Sequence, residues 1–226
     1  LAGAEFDELV EEFIEATQVV FPGVLVQFED FANHNAFRLL QKYRDRICSF
    51  NDDIQGTASV TVAGIFSALR VTKKKMSEQT FLCLGAGEAA TGISDLLVAA
   101  MRADGLSESA ARCRCWLVDS KGLVVAERKD LAEHKKPYAH SHAPVGDFLG
   151  AVKALKPTAI IGVGATPNTF TREVIETMTQ LNERPIVFAL SNPTSRAECT
   201  AEQAYEWSGG KALFASGSPF DPVNYN

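Results

Sequence analysis

The sequence predicts an α/β protein, a doubly wound parallel sheet preceded by part of a second α/β unit. Three observations carry this reading. From Thr80 onward the near-continuous apolar runs FLCL, CWLV, AIIGV, IVFAL and ALFA alternate with helical patterns, and strands that are apolar on both faces belong to a parallel sheet covered on both sides. The first of these runs ends in a glycine-rich turn that opens directly into a helix. Before Thr80 the chain keeps its own helix–strand rhythm, and 226 residues make roughly one and a half domains at about 150 residues each.

Taken in order, Phe6, Leu9, Val10, Phe13, Ile14, Val20 and Phe21 recur at helical spacing until Pro22 and Gly23 stop the run, so the chain opens with an amphipathic helix. A short strand at 24–28 follows. Next come a helix carrying Ala36, Phe37, Leu39, Leu40 and Tyr43, then an apolar run at 47–50. The small residues of GTASVTVAGIFSAL form a tightly packed helix that ends before the lysines at 73–75. Between the later strands, helices are expected at 95–102, 147–155, 172–181 and 201–207. Residues 103–114 lengthen one crossover, and 127–144, rich in Lys, His and Pro, reads as a long surface loop.

Apolar residues at 46% and charged residues at 22% are ordinary globular values, which excludes disorder and collagen-like repeats. Twenty-two Lys and Arg against 28 Asp and Glu leave a net charge of −6, so no nucleic acid or membrane partner is expected. Cys48, Cys83, Cys113, Cys115 and Cys199 are odd in number and form no C-x-x-C pair, which points to a reduced, intracellular compartment. No stretch approaches 18 apolar residues, and the acidic N-terminus is unlike a targeting peptide. Leu1 stands where a Met would start a chain, inside a pattern already under way, so further sequence upstream is expected.

The first chemical signal is Gly85-Ala86-Gly87-Glu88-Ala89-Ala90, between the strand FLCL and a helix. Gly85 permits the tight turn, Gly87 lets the backbone approach a pyrophosphate, and Ala90 still allows close helix packing, so a dinucleotide site is preferred over a plain turn. The next strand ends at Asp119, the place for a carboxylate on a ribose hydroxyl. Ser120 and Lys121 suit an additional 2′-phosphate and read equally well as a polar turn.

A second signal is the acid pairs Glu29-Asp30 and Asp52-Asp53, each following an apolar run at a sheet edge, where open α/β sheets hold ligands. Gathered carboxylates repel one another, and a hard divalent cation offsets this; caps or solvated loops are the equal alternative. Glu29 and Asp30 can converge only if the strand is already turning there. The third signal is Ser191-Asn192-Pro193-Thr194 after IVFAL, where Pro193 keeps Asn192 extended and its amide free to project; alone this is an ordinary turn. Gly162 and Gly164, flanking Val163, would let backbone approach a ribose or nicotinamide. His140 and His142 read as surface residues. Cys113 and Cys115 read as buried thiols sharing one face of a strand.

With these residues assembled, the sequence resembles the malic enzyme family from about Val24 to Asp221, through QFEDFANHNAFRLL, FNDDIQGTASV, LGAGEAATGI, LVDSKGL, NERPIVFALSNPTS and FASGSPFDPV. The resemblance implies a Rossmann-like fold, with residues 1–51 the C-terminal part of a substrate and metal domain and 52–226 an NAD(P)-binding domain. It implies that Glu29, Asp30 and Asp53 ligate Mg2+ or Mn2+ with Asp52 in support. Thr57, Gly85, Ala86, Gly87, Glu88, Ala89, Ala90, Asp119, Ser120, Val163, Gly164 and Asn192 would meet the dinucleotide, with Asn192 also on the substrate. Ser120 and Lys135, with Lys136 as the fallback, imply NADP rather than NAD. The implied reaction is oxidative decarboxylation of malate to pyruvate and CO2, in a cytoplasmic or mitochondrial homodimer or homotetramer. The family's general base, general acid and malate-binding arginine have no counterpart in these residues, so the chain reads as a fragment lacking N-terminal and C-terminal parts and inactive alone. The rival reading is a non-catalytic dinucleotide-binding interaction module, which has no use for four converging acids. A metal-independent amino-acid dehydrogenase would need a substrate-binding lysine near the glycine loop.

Overall fold

The computed structural model describes residues 2–225. Two sheets organise it, a parallel pair and a mainly parallel sheet of six strands. In the N-terminal part, α1 (Ala4–Val20) and α2 (Ala32–Tyr43) flank the parallel pair β1 (Val26–Phe28) and β2 (Ser49–Asn51). Val10, Ile14, Phe28, Leu39 and Tyr43 form their own small core. Tyr43 is buried, stacks on Phe28 and donates to Glu11, whose carboxylate also takes Arg46 and Lys42.

The larger sheet has the order β5-β4-β3-β6-β7-β8, from β3 (Phe81–Leu84), β4 (Cys115–Asp119), β5 (Gly122–Leu123), β6 (Ala159–Gly162), β7 (Ile186–Ala189) and β8 (Leu213–Ser216). All neighbours are parallel except β4 with β5. One face is covered by α3 (Thr57–Thr72) and α4 (Glu88–Ala103), packed through Ile65, Leu69, Ile93 and Leu97. The other face is covered by α6 (Phe148–Leu155), α7 (Arg172–Leu181) and α8 (Ala201–Ser208), through Val152, Ile175 and Ala204. These three helices begin where a side chain caps them: Asp147 accepts from the Gly150 N–H, Thr171 from Val174, and Thr200 with Gln203 makes a reciprocal box. The chain reverses winding between β3 and β6, the switch point at which ligands bind outside the strand ends.

The expected fold class stands, with local differences. The helix after the glycine turn starts at Glu88 rather than at residue 95. Its weak helix formers are accommodated because the Thr91 and Ser94 hydroxyls bond back to the Gly87 and Ala90 carbonyls. The crossover at 103–114 contains a short helix, α5 (Glu108–Arg112), and Cys113 ends that helix, exposed, while Cys115 is buried in β4; the two do not share a strand face. The segment 127–144 is more than a surface loop. Tyr138, at the end of a 3-10 turn Glu133–Tyr138, is buried, donates to Asp95 at 2.5 Å and lies under the Arg112 guanidinium, which pins the segment to α4.

The helical run Asp52–Thr72 is long and apolar enough, by length and composition, to cross a membrane. Its Ala58, Val62, Ile65 and Leu69 are buried in the sheet's core cluster, as in a core helix.

Candidate functional site

The two acid pairs are brought to one end of the small sheet by its register. Phe28 pairs with Asn51, so Glu29-Asp30 and Asp52-Asp53 leave the sheet side by side. Asp30 sits at φ 60°, a left-handed turn that takes the chain out of the strand, and its N–H donates to Asp53 Oδ2 at 2.9 Å. Asp52 and Asp53 lie in a π-helical turn, Asp52–Gly56, capped by the Asn51 side chain on the Ile54 N–H.

Gly92 determines how near this turn comes to the sheet domain. A Cβ there would sit 2.2 Å from the Ile54 carbonyl oxygen, so only glycine lets α4 lie against the π turn. Asp53 is thereby set beside the glycine loop. Gly85 leaves β3 at φ 124°, Gly87 caps α4 without a side-chain bond, and Ala90 is buried beneath. Gly87 brings no side chain to this N-terminus, and the positive end of the α4 helix dipole there suits a pyrophosphate. Burial, then the charges of Asp53 and Asp30, push the Glu88 carboxyl up. Three acids therefore share one field, and a cation placed there would relieve it.

One cleft of about 550 Å3 joins these parts. Asp30, Ala32, Asp53 and Thr57 line it on one side, Gly87, Glu88 and Ala89 on another, and Val163, Ala165, Leu190, Ser191 and Asn192 on the third. Glu29 is not brought in; it is exposed, and its carboxylate accepts from the Gln27 amide at 2.9 Å. Among the described residues no three His, Cys, Asp or Glu side chains converge as a metal cluster. The oxygen-only pair Asp30 and Asp53 nonetheless fits a hard divalent ion in its donor chemistry. Gly164 packs its backbone near the Leu84 carbonyl and Gly85 rather than lining the cleft, and Asn192 is exposed before a cis bond to Pro193.

At the end of β4, beside the glycine turn that follows β3, Asp119 is held by more groups than the sequence suggests. Arg128 grips it with two bonds of 2.8 and 3.0 Å, Lys135 Nζ lies 2.7 Å from Oδ2, and the Lys121 N–H donates to Oδ1. Burial by itself would raise this carboxyl, but the bonds from Arg128, Lys135 and Lys121 outweigh it and hold the group at about 2. Asp130 takes the outer face of Arg128 and Lys121. Ser120 is exposed beside this cluster, and Lys136 points to Glu133 instead. Lys135 reaches Asp119 because Tyr138 anchors its turn. His134 of the same turn stacks on Phe37 and bonds the Ala86 carbonyl, tying the loop to α2 and to the glycine turn. His140 and His142 pack against Trp116 and take no part in the cleft.

Sequence reasoning assigns no role to Arg128 or Gly92, and names Ser191 only as the start of the turn that carries Asn192. Arg128 is nine residues past Asp119 in a segment without periodicity, and no local pattern marks it.

The comparisons with known proteins follow the same outline. The profile for the malic enzyme NAD binding domain matches residues 54–226, and that for the malic enzyme N-terminal domain matches 1–44. The chain is 57% identical over 226 residues to NADP-dependent malic enzyme 1 of Arabidopsis thaliana, covering 99% of this chain and 39% of that protein. Among solved structures, the Entamoeba histolytica malic enzyme superposes with a TM-score of 0.76 at 28% identity over 96% of this chain and 43% of its own. The NAD-dependent malic enzyme of Thermotoga maritima gives 0.76 at 26% over 100% and 56%. The chain thus spans about two fifths of the length of the curated relatives it matches, and with a domain profile matched over most of its residues, it belongs to the malic enzyme family.

Proposed function

We propose that the protein carrying this chain oxidatively decarboxylates malate to pyruvate and CO2 while reducing NADP, and that this chain supplies its metal and cofactor sites. The observation that carries the reading is the single cleft onto which Asp30, Asp53, the glycine loop and Asn192 all open. Residues 1–51 would belong to the substrate and metal unit and 52–226 to the dinucleotide unit.

Asp30 and Asp53 would hold Mg2+ or Mn2+, with Glu29 joining once it leaves Gln27, an exposed hydrogen bond worth about 1 kcal/mol. Asp52 would support that set. A bound ion would supply Lewis-acid stabilisation of the negative charge that develops on malate as C2 is oxidised and CO2 leaves. A bound dinucleotide would supply the acceptor for the C2 hydride. The α4 N-terminus and the Gly85 turn would bind its pyrophosphate, with Thr57 and Val163 along its path, and Asn192 would orient malate and nicotinamide by its amide. Burial first, and then the charges of Asp53 and Asp30, push the Glu88 carboxyl up, and a cation bound at Asp30 and Asp53 would relieve that repulsion.

Cofactor choice rests on Asp119. A free carboxylate there selects a ribose hydroxyl, but Arg128 and Lys135 neutralise it and place cations around Ser120, where a 2′-phosphate would sit. This favours NADP, with NAD the weaker substrate. A homodimer or homotetramer in the cytoplasm or mitochondria completes the proposal. The test is direct: the intact protein with malate, NADP and Mn2+ should release CO2 and form NADPH in equal amounts, and chelation should stop both. NADPH formation without CO2, or equal activity in EDTA, would refute it.

A further inference from the structure

The carboxyl group of Glu198 is fully buried, at 0% exposure, and has no role in the chemistry above. It lies between a 3-10 turn, Thr194–Arg196, and α8. Its Oε1 accepts the Ser191 hydroxyl at 2.5 Å and its Oε2 faces the Ser191 N–H at 3.4 Å. Because the Ser191 proton is committed to Glu198, the Oγ lone pairs are turned to the Ala165 N–H, which donates at 2.9 Å. The space for this carboxyl is built in: a Cβ on Gly162 would lie 2.2 Å from Glu198 Cδ.

The loop that Ser191 holds needs holding. Ala165 and Asn168 sit at φ 51° and 59°, a left-handed backbone that L residues other than glycine adopt only when their surroundings impose it. Its far end is fixed by the same segment, since the Asn168 N–H donates to Ala197 O and the Phe170 N–H to Glu198 O. Val163 and Ala165 of this loop, and Ser191 and Asn192 of the next, form one wall of the cleft.

We propose that Glu198 is a positioning residue that sets this wall, the nicotinamide side of the cofactor cleft, through the Ser191 hydroxyl; this rests on the dinucleotide reading of the cleft. The groups facing its two oxygens are donors, so the site requires an acceptor at both positions. Glutamine, equal in shape, turns an NH2 toward one of them and leaves two donors opposed. Burial pushes the Glu198 carboxyl up, and the hydrogen bonds from Ser191 and the Gly164 backbone work against that, as expected for a carboxylate held by donors rather than by a cation.

The test separates the two halves of the dinucleotide in the intact protein. Glu198→Gln should raise the dissociation constant and KM for the whole dinucleotide at least about tenfold, while ADP, which carries only adenosine and pyrophosphate, binds within about twofold of wild type. Ser191→Ala, a smaller buried change, should reproduce the split and carries the test if the glutamine variant does not fold. Equal losses for dinucleotide and ADP, or no loss for either, would overturn the proposal. A wild type that binds neither dinucleotide nor ADP would instead sink the cofactor reading itself.

Discussion

Replacing Gly92 by Ala separates local propensity from the packing that places Asp53. In a helix interior this change ordinarily stabilises by up to about 1 kcal/mol, since alanine is the better helix former. Here the new Cβ would lie 2.2 Å from the Ile54 carbonyl oxygen and 3.0 Å from Ile54 C and Cγ2, against an ordinary contact of 3.4 Å or more. The π turn and α4 must therefore part by about 1 Å, and both contacting atoms on the turn's backbone belong to the residue after Asp53. Overpacking of this kind costs roughly 1–3 kcal/mol, which exceeds the propensity gain, so the variant should be less stable by about 1 kcal/mol. A misplacement near 1 Å can cost about a hundredfold in rate, so kcat/KM for malate should fall steeply and its half-maximal Mn2+ concentration should rise. Thermal unfolding and a Mn2+ series on initial rates measure both. A variant that is more stable than wild type with an unchanged Mn2+ dependence would refute the claim that Gly92 sets the position of Asp53, the proposed metal ligand.

Lys135→Gln should raise KM for NADP about tenfold to a hundredfold and leave that for NAD nearly unchanged, with the difference shrinking as salt rises; equal losses for both cofactors would return the choice to Asp119 alone. Arg128→Met removes the bidentate partner of Asp119. Because Asp119 is held at about 2 in the fold, below its unfolded value near 3.9, its contribution is present above pH 4 and lost as pH falls through about 2. The variant should thus lose up to about 2 kcal/mol near pH 7, with the gap narrowing in urea melts below pH 4; a gap independent of pH would contradict this. The 226-residue chain by itself should bind a dinucleotide weakly and turn over no malate, since proton-transfer groups worth roughly two to four orders of magnitude have no assigned residue here. Normal cofactor reduction by this chain would overturn that.

Much of the site was legible because its parts follow strands. Apolar runs fixed where β1, β2, β3, β6 and β7 end, and Asp30, Asp53, Gly85, Val163 and Asn192 follow those ends, so period and turn chemistry sufficed. What could not be read depends on contacts between distant segments. Gly92 looks like a weak spot in a helix until Ile54, far back in sequence, is packed on it. Arg128 and Tyr138 lie in a stretch whose composition signals a surface loop, and only the Asp119 carboxylate and Asp95 on α4 show why they are there. The first turns of α4 are hard to read because Thr91, Gly92 and Ser94 are poor helix formers, and the close packing of Gly92 on Ile54 is a tertiary fact. Glu29 follows β1 together with Asp30, and its carboxylate takes the Gln27 amide, a contact that adjacency in sequence does not announce.

In the proposed reaction a divalent ion would be held by Asp53 beside the cofactor. The most direct measurement is a Mn2+ titration of the intact protein and its Asp53→Asn variant, followed by the electron spin resonance of free Mn2+ with NADP present. A neutral amide is a poorer ligand for a hard cation, and the ion carries several kcal/mol of charge stabilisation. The variant should therefore bind Mn2+ far more weakly and turn over malate at least about a hundredfold more slowly. Unchanged Mn2+ affinity together with an unchanged rate would contradict the placement of the metal at Asp30 and Asp53.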